Sequence, residues 1–376
     1  MDVKLDEVVA VDPDTHTVAA ADGDTWTGDA VVLAAGSVPN FFRTPGADVN
    51  SFPLYSLDDA DRLRSRILRV FEDADRDPSL IDRGALNFVV VGGGPTGVEV
   101  AGALGDMIHE TMGVEYRDLA VTAAQVHVVD LGQALLSGFS SAAHHYAAKV
   151  LQRKGVRLHM GVAVSEVAPD HVKLADGTTI PTRCVVWGGG LMAAPVAAAT
   201  GLQPGRGGRI DVRSDLTVEG TNRVYVVGDI ANIRGPDGDP LPQLGSVALQ
   251  SGTCAAENIV ADFAGHPRRP FRYHDKGIMA MIGRGAAIAE VGAHRHQLRG
   301  VVAFAAWLGV HAFLMTGVRN RIDALINWSW DYFSKTHGPQ VLDRSDATRI
   351  DWGPEPDGPP TPRSPHHQVQ GRAASR

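Results

Sequence analysis

Gly92, Gly94 and Gly97 form a G-x-G-x-x-G run directly behind Phe88-Val89-Val90-Val91. The apolar, largely β-branched residues predict a buried parallel strand, and Val98 to Leu104 predict a helix. That strand–turn–helix setting is what a phosphate cradle requires. Gly92 permits the tight turn, and Gly94 lets backbone N–H groups approach a pyrophosphate. Gly97 and Ala101 leave room for helix against strand. Pro95 and Thr96 sit in the cradle at the helix start, where unpaired N–H groups and a partial positive charge meet the phosphates. A glycine run alone also occurs in ordinary turns; the strand before it and the helix after it favour a bound nucleotide.

Carboxylates sit at the matching strand ends. Val126-His127-Val128-Val129-Asp130 predicts the next parallel strand, with its acid placed to bind a ribose 2′-OH and repel a 2′-phosphate. Leu131 to Leu136 carries no Arg or Lys to receive that phosphate, so NAD is favoured over NADP. A solvated strand-end Asp is the alternative. The distance from Gly97 exceeds the usual ~20 residues, which makes Met107 to Ala124 an inserted loop or helix extension. Further on, Val224-Tyr225-Val226-Val227-Gly228-Asp229 is a buried strand ending in Gly-Asp, with a helix-like segment from Gln243 after a Gly/Pro loop. A carboxylate there is placed to accept a bond from a cofactor hydroxyl.

The elements that hold these residues show an internal repeat. Residues 7–36 predict a small antiparallel meander with turns at Asp12-Pro13-Asp14 and Ala21-Asp22-Gly23-Asp24, then a buried strand Val31 to Ala34 ending at Ala35-Gly36. Glu166-Val167, Asp176-Gly177 and Val185 to Gly190 are read as a second copy of Glu7-Val8, Asp22-Gly23 and Val31 to Gly36. Thirteen residues separate turn glycine from final glycine in each copy, which points to two related domains. In the later copy Gly92 lies 85 residues before the turn glycine; the same offset from Gly23 falls before Met1. The first domain is therefore expected to lack its opening strand, glycine loop and first helix, through a late start or through divergence. A meander that never had a nucleotide site is the alternative. Ser56 to Asp75 predicts a packing helix with a capping box, Ser56 with Asp59, and an apolar stripe Leu63, Ile67, Val70, Phe71, Ala74.

Bulk properties set limits. The chain of 376 residues suffices for two or three domains, and 44% apolar residues supply a core. A net charge of -8 argues against nucleic acid as the main partner. Cys184 and Cys254 lie far apart without a C-x-x-C, so disulfide or zinc frameworks are not expected and a reducing, cytoplasmic setting fits. The opening Met1-Asp2-Val3-Lys4-Leu5-Asp6 has no apolar h-region, so no signal peptide is expected.

Across about Val31 to Leu342 the chain resembles the flavoprotein reductases with two dinucleotide-binding domains, and most closely the type II NADH dehydrogenases. Gly92 to Glu99, Val186 to Gly190 and Val224 to Ala231 carry the superfamily likeness. Phe271-Arg272-Tyr273-His274-Asp275-Lys276-Gly277, Trp307-Leu308-Gly309-Val310-His311 and Trp328-Ser329-Trp330 point to this member. The resemblance implies FAD across the first domain, with Asp229 on the ribityl chain, Gly228 allowing close approach, and Ala35-Gly36 near the FAD phosphates or adenosine. It implies that Val247-Ala248 presents N–H groups to the flavin's pyrimidine edge. Glu99 would lie near the nicotinamide, in positioning or proton relay; Gly189 and Gly190 would line its path to the flavin, and Lys276 joins the cofactor set. Two glutamines four apart are the family pattern beside flavin and quinone. Here Gln250 matches the second and Ser246 stands in the first, which leaves the acceptor open.

Val301 to Thr316 is an apolar run too short for the ~20 residues of a span, flanked by Arg295, Arg299, Arg319 and Arg321. Ile322, Leu325, Ile326, Trp330 and Phe333 share the next helical face, with Trp328 and Tyr332 nearby. This fits a helix in a membrane interface, on the cytoplasmic side; a buried helix pair or a homodimer seam is the alternative. The expected architecture is α/β, two Rossmann-like domains with the second inserted in the first. Residues 1–55 and 193–265 form the FAD-binding domain, 56–84 a connecting helix and linker, and 85–192 the NAD-binding domain. Residues 266–345 form the C-terminal docking segment and 346–376 a disordered tail. The expected chemistry is hydride transfer from NADH to FAD, then two electrons to a quinone. A soluble reductase for a small iron protein and a non-catalytic NAD-binding remnant are the alternatives. With no first glycine loop in these residues, the polypeptide is expected to hold FAD poorly. A flavin absorbance scan of purified protein tests this: sub-stoichiometric FAD is expected, and stoichiometric FAD refutes it.

Overall fold

The computed structural model describes residues 1–116, 119–292, 294–315, 317–333 and 350–352. Its centre is a five-stranded parallel sheet in the order Phe52–Pro53, Cys184–Trp187, Asn87–Val91, Gln125–Asp130, Val156–Met160. Alternate residues of the central strand serve different cores, as the two-residue period of a strand requires. Phe88 and Val90 meet Phe71, Val98, Ala101 and Leu104 from the helices Leu57–Arg76 and Pro95–Asp106. Val89 and Val91 meet Val185, Trp187, Val172 and Leu174 on the side of the meander. The Leu57–Arg76 helix starts at the expected capping box, with the Ser56 side chain accepting from the Asp59 N–H. The insertion after the glycine-loop helix is a π-helical turn, Met107–Met112, running into Gly113–Glu115.

The repeat is real, with one shift. Strands Val8–Asp12, Thr17–Ala20 and Thr25–Thr27 form one antiparallel meander; Val164–Val167, His171–Leu174 and Thr179–Pro181 form the other. At the tight turns the Asp22 carboxylate accepts from Asp24 N–H and the Asp176 carboxylate from Thr178 N–H, both at 2.9 Å. Gly23 and Gly177 take φ of 97° and 92°. However, Val8 opposes Ala20 and Val164 opposes Leu174, each followed by a register shift. Val164 is thus the counterpart of Val8, and Val167 that of Val11; Glu166-Val167 does not match Glu7-Val8. The bulge is common to both copies; the longer first hairpin loop, between Val11 and Val18 as against Val167 and Val172, displaced the sequence match.

Val31–Leu33 pairs in parallel with Val224–Val226, so residues 1–36 and 215–260 share a sheet. Its core holds Leu33, Tyr225, Ile230, Val247 and Cys254. An antiparallel ribbon, Ser37–Pro39 with Leu191–Ala193, carries the chain between the two units. A third sheet, Gly277–Met281, Ala287–Val291, His296–Arg299, packs against the glycine-loop helix. Gly102 makes that approach feasible, since a Cβ there would lie 2.4 Å from the Ile282 carbonyl oxygen. Helix Gly300–Leu314 covers this sheet through Ala303 and Phe304, and Val318–Phe333 follows.

The tail expected from residue 346 lies outside the described residues apart from 350–352, and of these Ile350 and Trp352 are packed. Ile350 is buried in the main core, and the Trp352 indole N–H donates to Asp73 Oδ2 at 3.1 Å under the Arg183 guanidinium. A buried isoleucine and a tryptophan inside a Pro/Gly-rich stretch supply the apolar area that the composition average concealed.

Candidate functional site

The glycine loop is built backbone on backbone. A Cβ on Gly97 would lie 1.8 Å from the Gly92 carbonyl oxygen, and one on Gly92, at φ 110°, 2.3 Å from that of Gly188. Gly188 N–H donates to Val91 O at 2.7 Å, so the Gly188-Gly189-Gly190 turn lies directly beside the loop. Gly94, by contrast, faces open space: nothing lies within 4 Å of a Cβ built there. It caps the helix Pro95–Asp106 with no side-chain hydrogen bond, leaving the helix N-terminus free for an anion. Pro95 and Thr96 are exposed there. Phe41 and Phe42 reach across, Phe41 against Trp187 at 5.6 Å and the Phe42 ring beside Gly190.

Asp130 does more than its strand-end position suggested. One carboxylate oxygen accepts from Gly93 N–H and the other from Gly132 N–H, so it braces the loop. Beside it, past the C-terminal ends of Gln125–Asp130 and Val156–Met160, opens a cavity of about 570 Å³ lined by Leu131, His159, Met160, Val162, Ala175 and Asp176. Ligands of open parallel sheets bind at such strand ends. His127 stands behind the wall, its Nδ1 3.0 Å from His159 Nε2. Sequence reasoning missed this pair; the same-face spacing of His127 and His159 on neighbouring strands was the available signal.

Glu99 lies half-buried where the glycine-loop helix meets the third sheet. Its Oε1 accepts from Met281 N–H at 3.0 Å. Burial pushes its carboxyl above the usual carboxylate range, against the Met281 N–H, the His311 charge and the Trp307 side chain. The Trp307 and His311 rings stack at 4.0 Å.

The second cluster forms around Asp229. Ser37 Oγ donates to Asp229 Oδ2 at 2.9 Å and lies 3.0 Å from the Tyr55 hydroxyl. This brings the Ala35-Gly36 turn, with Gly36 at φ 71°, next to the Gly-Asp strand end. Gly228 N–H donates to Ser251 Oγ at 3.1 Å, and a Cβ on Gly228 would touch Ala248. Ser37 and Tyr55 carried no signal in the sequence.

Helix Gly245–Phe263 begins at this cluster, but its donors differ from expectation. The Val247 and Ala248 N–H groups both go to Leu244 O, at 3.0 Å each, so they are already used in the first turn. Gly245 and Ser246 are the residues whose N–H groups precede that turn. Gln250 clasps the backbone of His274, donating to its carbonyl and accepting from its N–H at 3.1 and 2.9 Å. Ser246 Oγ lies 2.8 Å from the Tyr273 hydroxyl. Both acceptor-side residues thus brace the Phe271 to Gly277 stretch. Lys276 is exposed ahead of the third sheet. Cys184 and Cys254 are buried in different cores, and burial pushes the Cys184 thiol up to about 12, which removes thiolate chemistry.

A carboxyl whose native pKa is raised holds its proton longer in the folded state, so its burial costs stability as pH rises past the ordinary carboxylate range. Glu99→Gln is expected to melt at a temperature at or above wild type at neutral pH, with the gap closing below pH ~4. Thermal melts across pH check this; a variant less stable at neutral than at acid pH, relative to wild type, contradicts it.

A family model for pyridine nucleotide-disulphide oxidoreductases matches residues 1–252. Type II NADH:quinone oxidoreductase Ndh of Mycobacterium tuberculosis is 34% identical over 326 residues, 84% of this chain and 69% of that protein. NdhA of the same organism is 32% identical over 359 residues, 90% of this chain and 74% of that protein. The solved structure of NDH2 from Plasmodium falciparum in complex with NADH superposes with a TM-score of 0.77 at 16% identity, covering 85% of this chain and 81% of that one, which shows the shared fold. The glycine cradle, the doubled meander and these similarities place the chain in the pyridine nucleotide-disulphide oxidoreductase family, among the type II NADH:quinone oxidoreductases.

Proposed function

We propose that the chain oxidises NADH and passes the electrons, through FAD, to a membrane quinone. The observation that carries this is Gly94: an open, uncapped helix N-terminus on a loop whose other glycines are locked against backbone. The residues fit NAD throughout, and fit FAD at its ribityl and flavin end. On the NAD side the N–H groups of Gly94, Thr96 and Gly97 would hold the pyrophosphate, Asp130 the ribose, and the cavity beside Leu131 and Val162 the adenosine. On the flavin side Asp229, braced by Ser37, faces the ribityl hydroxyls, and the uncapped start of Gly245–Phe263 supplies donors. FAD held there would supply a two-electron carrier between the nicotinamide and the acceptor.

The chain's own work is positioning. Gly188 to Gly190 have no side chains to block ring against ring. The Phe41, Phe42 and Trp187 rings keep water from that passage. Glu99, its proton held by burial, sits at the junction of NAD domain and third sheet as a proton source or positioning group.

The C-terminal helices supply the membrane side. Val301, Val302, Phe313, Leu314, Val318, Ile322 and Ile326 are all exposed along the two C-terminal helices, and apolar exposure of this density marks an interaction region. Arg319 is exposed beside them, and Arg321 lies over the Phe313 ring at 5.1 Å. The side chains of Trp330, Tyr332 and Phe333 lie outside the described residues. No helix among the described residues is long and apolar enough to cross a membrane. These exposed apolar and basic residues support peripheral docking, on the cytoplasmic side in this reading, within reach of a lipid-soluble quinone; a homodimer seam would use the same residues. With FAD added, the protein is expected to reduce a quinone analogue with NADH and about tenfold less well with NADPH. The pair Ile322→Glu with Ile326→Glu should lose vesicle binding yet keep activity with a water-soluble quinone. Absence of NADH oxidation with any acceptor contradicts the proposal; unchanged flotation of the variant contradicts its membrane part.

A further inference from the structure

We propose that His159 and Asp176 read the edge of the dinucleotide's adenine ring, and that His127 fixes the tautomer in which His159 does so. This rests on the reading of the cavity beside Asp130 as the adenosine subsite.

Between His127 Nδ1 and His159 Nε2, 3.0 Å apart, two neutral imidazoles share a single proton: one nitrogen donates and the other accepts. Burial, with the His159 and Arg157 charges adding to it, pushes His127 down to about 4, so it is neutral at physiological pH. Its other nitrogen, Nε2, is buried with no hydrogen-bond partner. A buried N–H without an acceptor is rarer and costlier than a bare lone pair. The His127 proton therefore sits on Nδ1 and is donated to His159 Nε2. Neutral His159 must then carry its own proton on Nδ1, which makes the cavity-lining imidazole a donor.

Asp176 lines the same cavity and is acceptor only. Its Oδ1 also accepts from Thr178 N–H at 2.9 Å, which fixes the carboxylate at the turn. A donor beside an acceptor complements adenine, which offers a ring-nitrogen acceptor next to its amino donor. Hypoxanthine puts a carbonyl where that amino group stands, so two acceptors would face each other at Asp176. Leu131, Met160 and Val162 supply the apolar remainder of the wall. The arrangement is a base-specificity device, separate from the phosphate grip at Gly94.

The test compares the Kd of NADH with that of reduced nicotinamide hypoxanthine dinucleotide by nicotinamide fluorescence, near neutral pH. Wild type is expected to prefer NADH by about 10- to 100-fold, the lower end of hydrogen-bond discrimination because the cavity is open. Asp176→Asn keeps the turn, its oxygen held by the Thr178 N–H, and puts an N–H donor where the acceptor stood; His159→Phe removes the donor. Each should bring the ratio to within about threefold. His127→Phe should do the same, and His127→Asn, whose amide N–H replaces the Nδ1–H, should restore the preference. Tight NADH binding without preference in wild type, or preference retained in both His159→Phe and Asp176→Asn, overturns the inference. Failure of wild type to bind either dinucleotide would instead sink the adenosine-site reading and this inference with it.

Discussion

Gly97 against the Gly92 carbonyl, and Gly92 against Gly188, set the distance between helix, central strand and the neighbouring strand end. No side chain fits in that stack, so the helix start is pressed onto the sheet and its N–H groups face outward at Gly94. Everything nearby depends on this. Asp130 can brace Gly93 only because the loop runs so close to the next strand, and the Gly188 to Gly190 turn becomes the floor of the passage between the two domains. The same economy recurs at Gly102, where the third sheet meets the helix backbone and brings Met281 N–H to Glu99.

The site thus divides into two grips of different chemistry. Around the glycine loop the ligands are backbone dipoles, suited to a pyrophosphate. Around Asp229 a side-chain relay, Tyr55 to Ser37 to carboxylate, suits hydroxyls. The ribbon Ser37–Pro39 with Leu191–Ala193 joins them, so the residue that holds Asp229 sits on the same strand that crosses to the glycine turn. A single short element therefore joins the two proposed cofactor grips.

Much of this was legible in sequence because it depends on local patterns. Glycine spacing behind an apolar strand, the capping box at Ser56, and acids at the ends of strands are short-range signals, and all fell where expected. What was not legible depends on register and burial. The longer hairpin loop between Val11 and Val18 than between Val167 and Val172 shifted the repeat match. The Val247 and Ala248 donors were lost to the first turn because the helix starts at Gly245. Tyr55 reaches Ser37 across 18 residues, His127 meets His159 across strands, and Trp352 returns to Asp73 across 279. The first and last leave no periodic trace, and the histidine pair only a same-face spacing, since each is made by packing of distant segments.

The central claim is that Gly94 and the helix start behind it hold the dinucleotide's phosphates. Gly94 has φ -74° and ψ -175°, which any residue adopts, and nothing lies within 4 Å of an added Cβ. Gly94→Ala therefore tests ligand approach without touching the fold. The account predicts an unchanged melting temperature and NADH affinity at least ~10-fold weaker, about 1.4 kcal/mol. Unchanged NADH affinity in a variant of unchanged stability would contradict it.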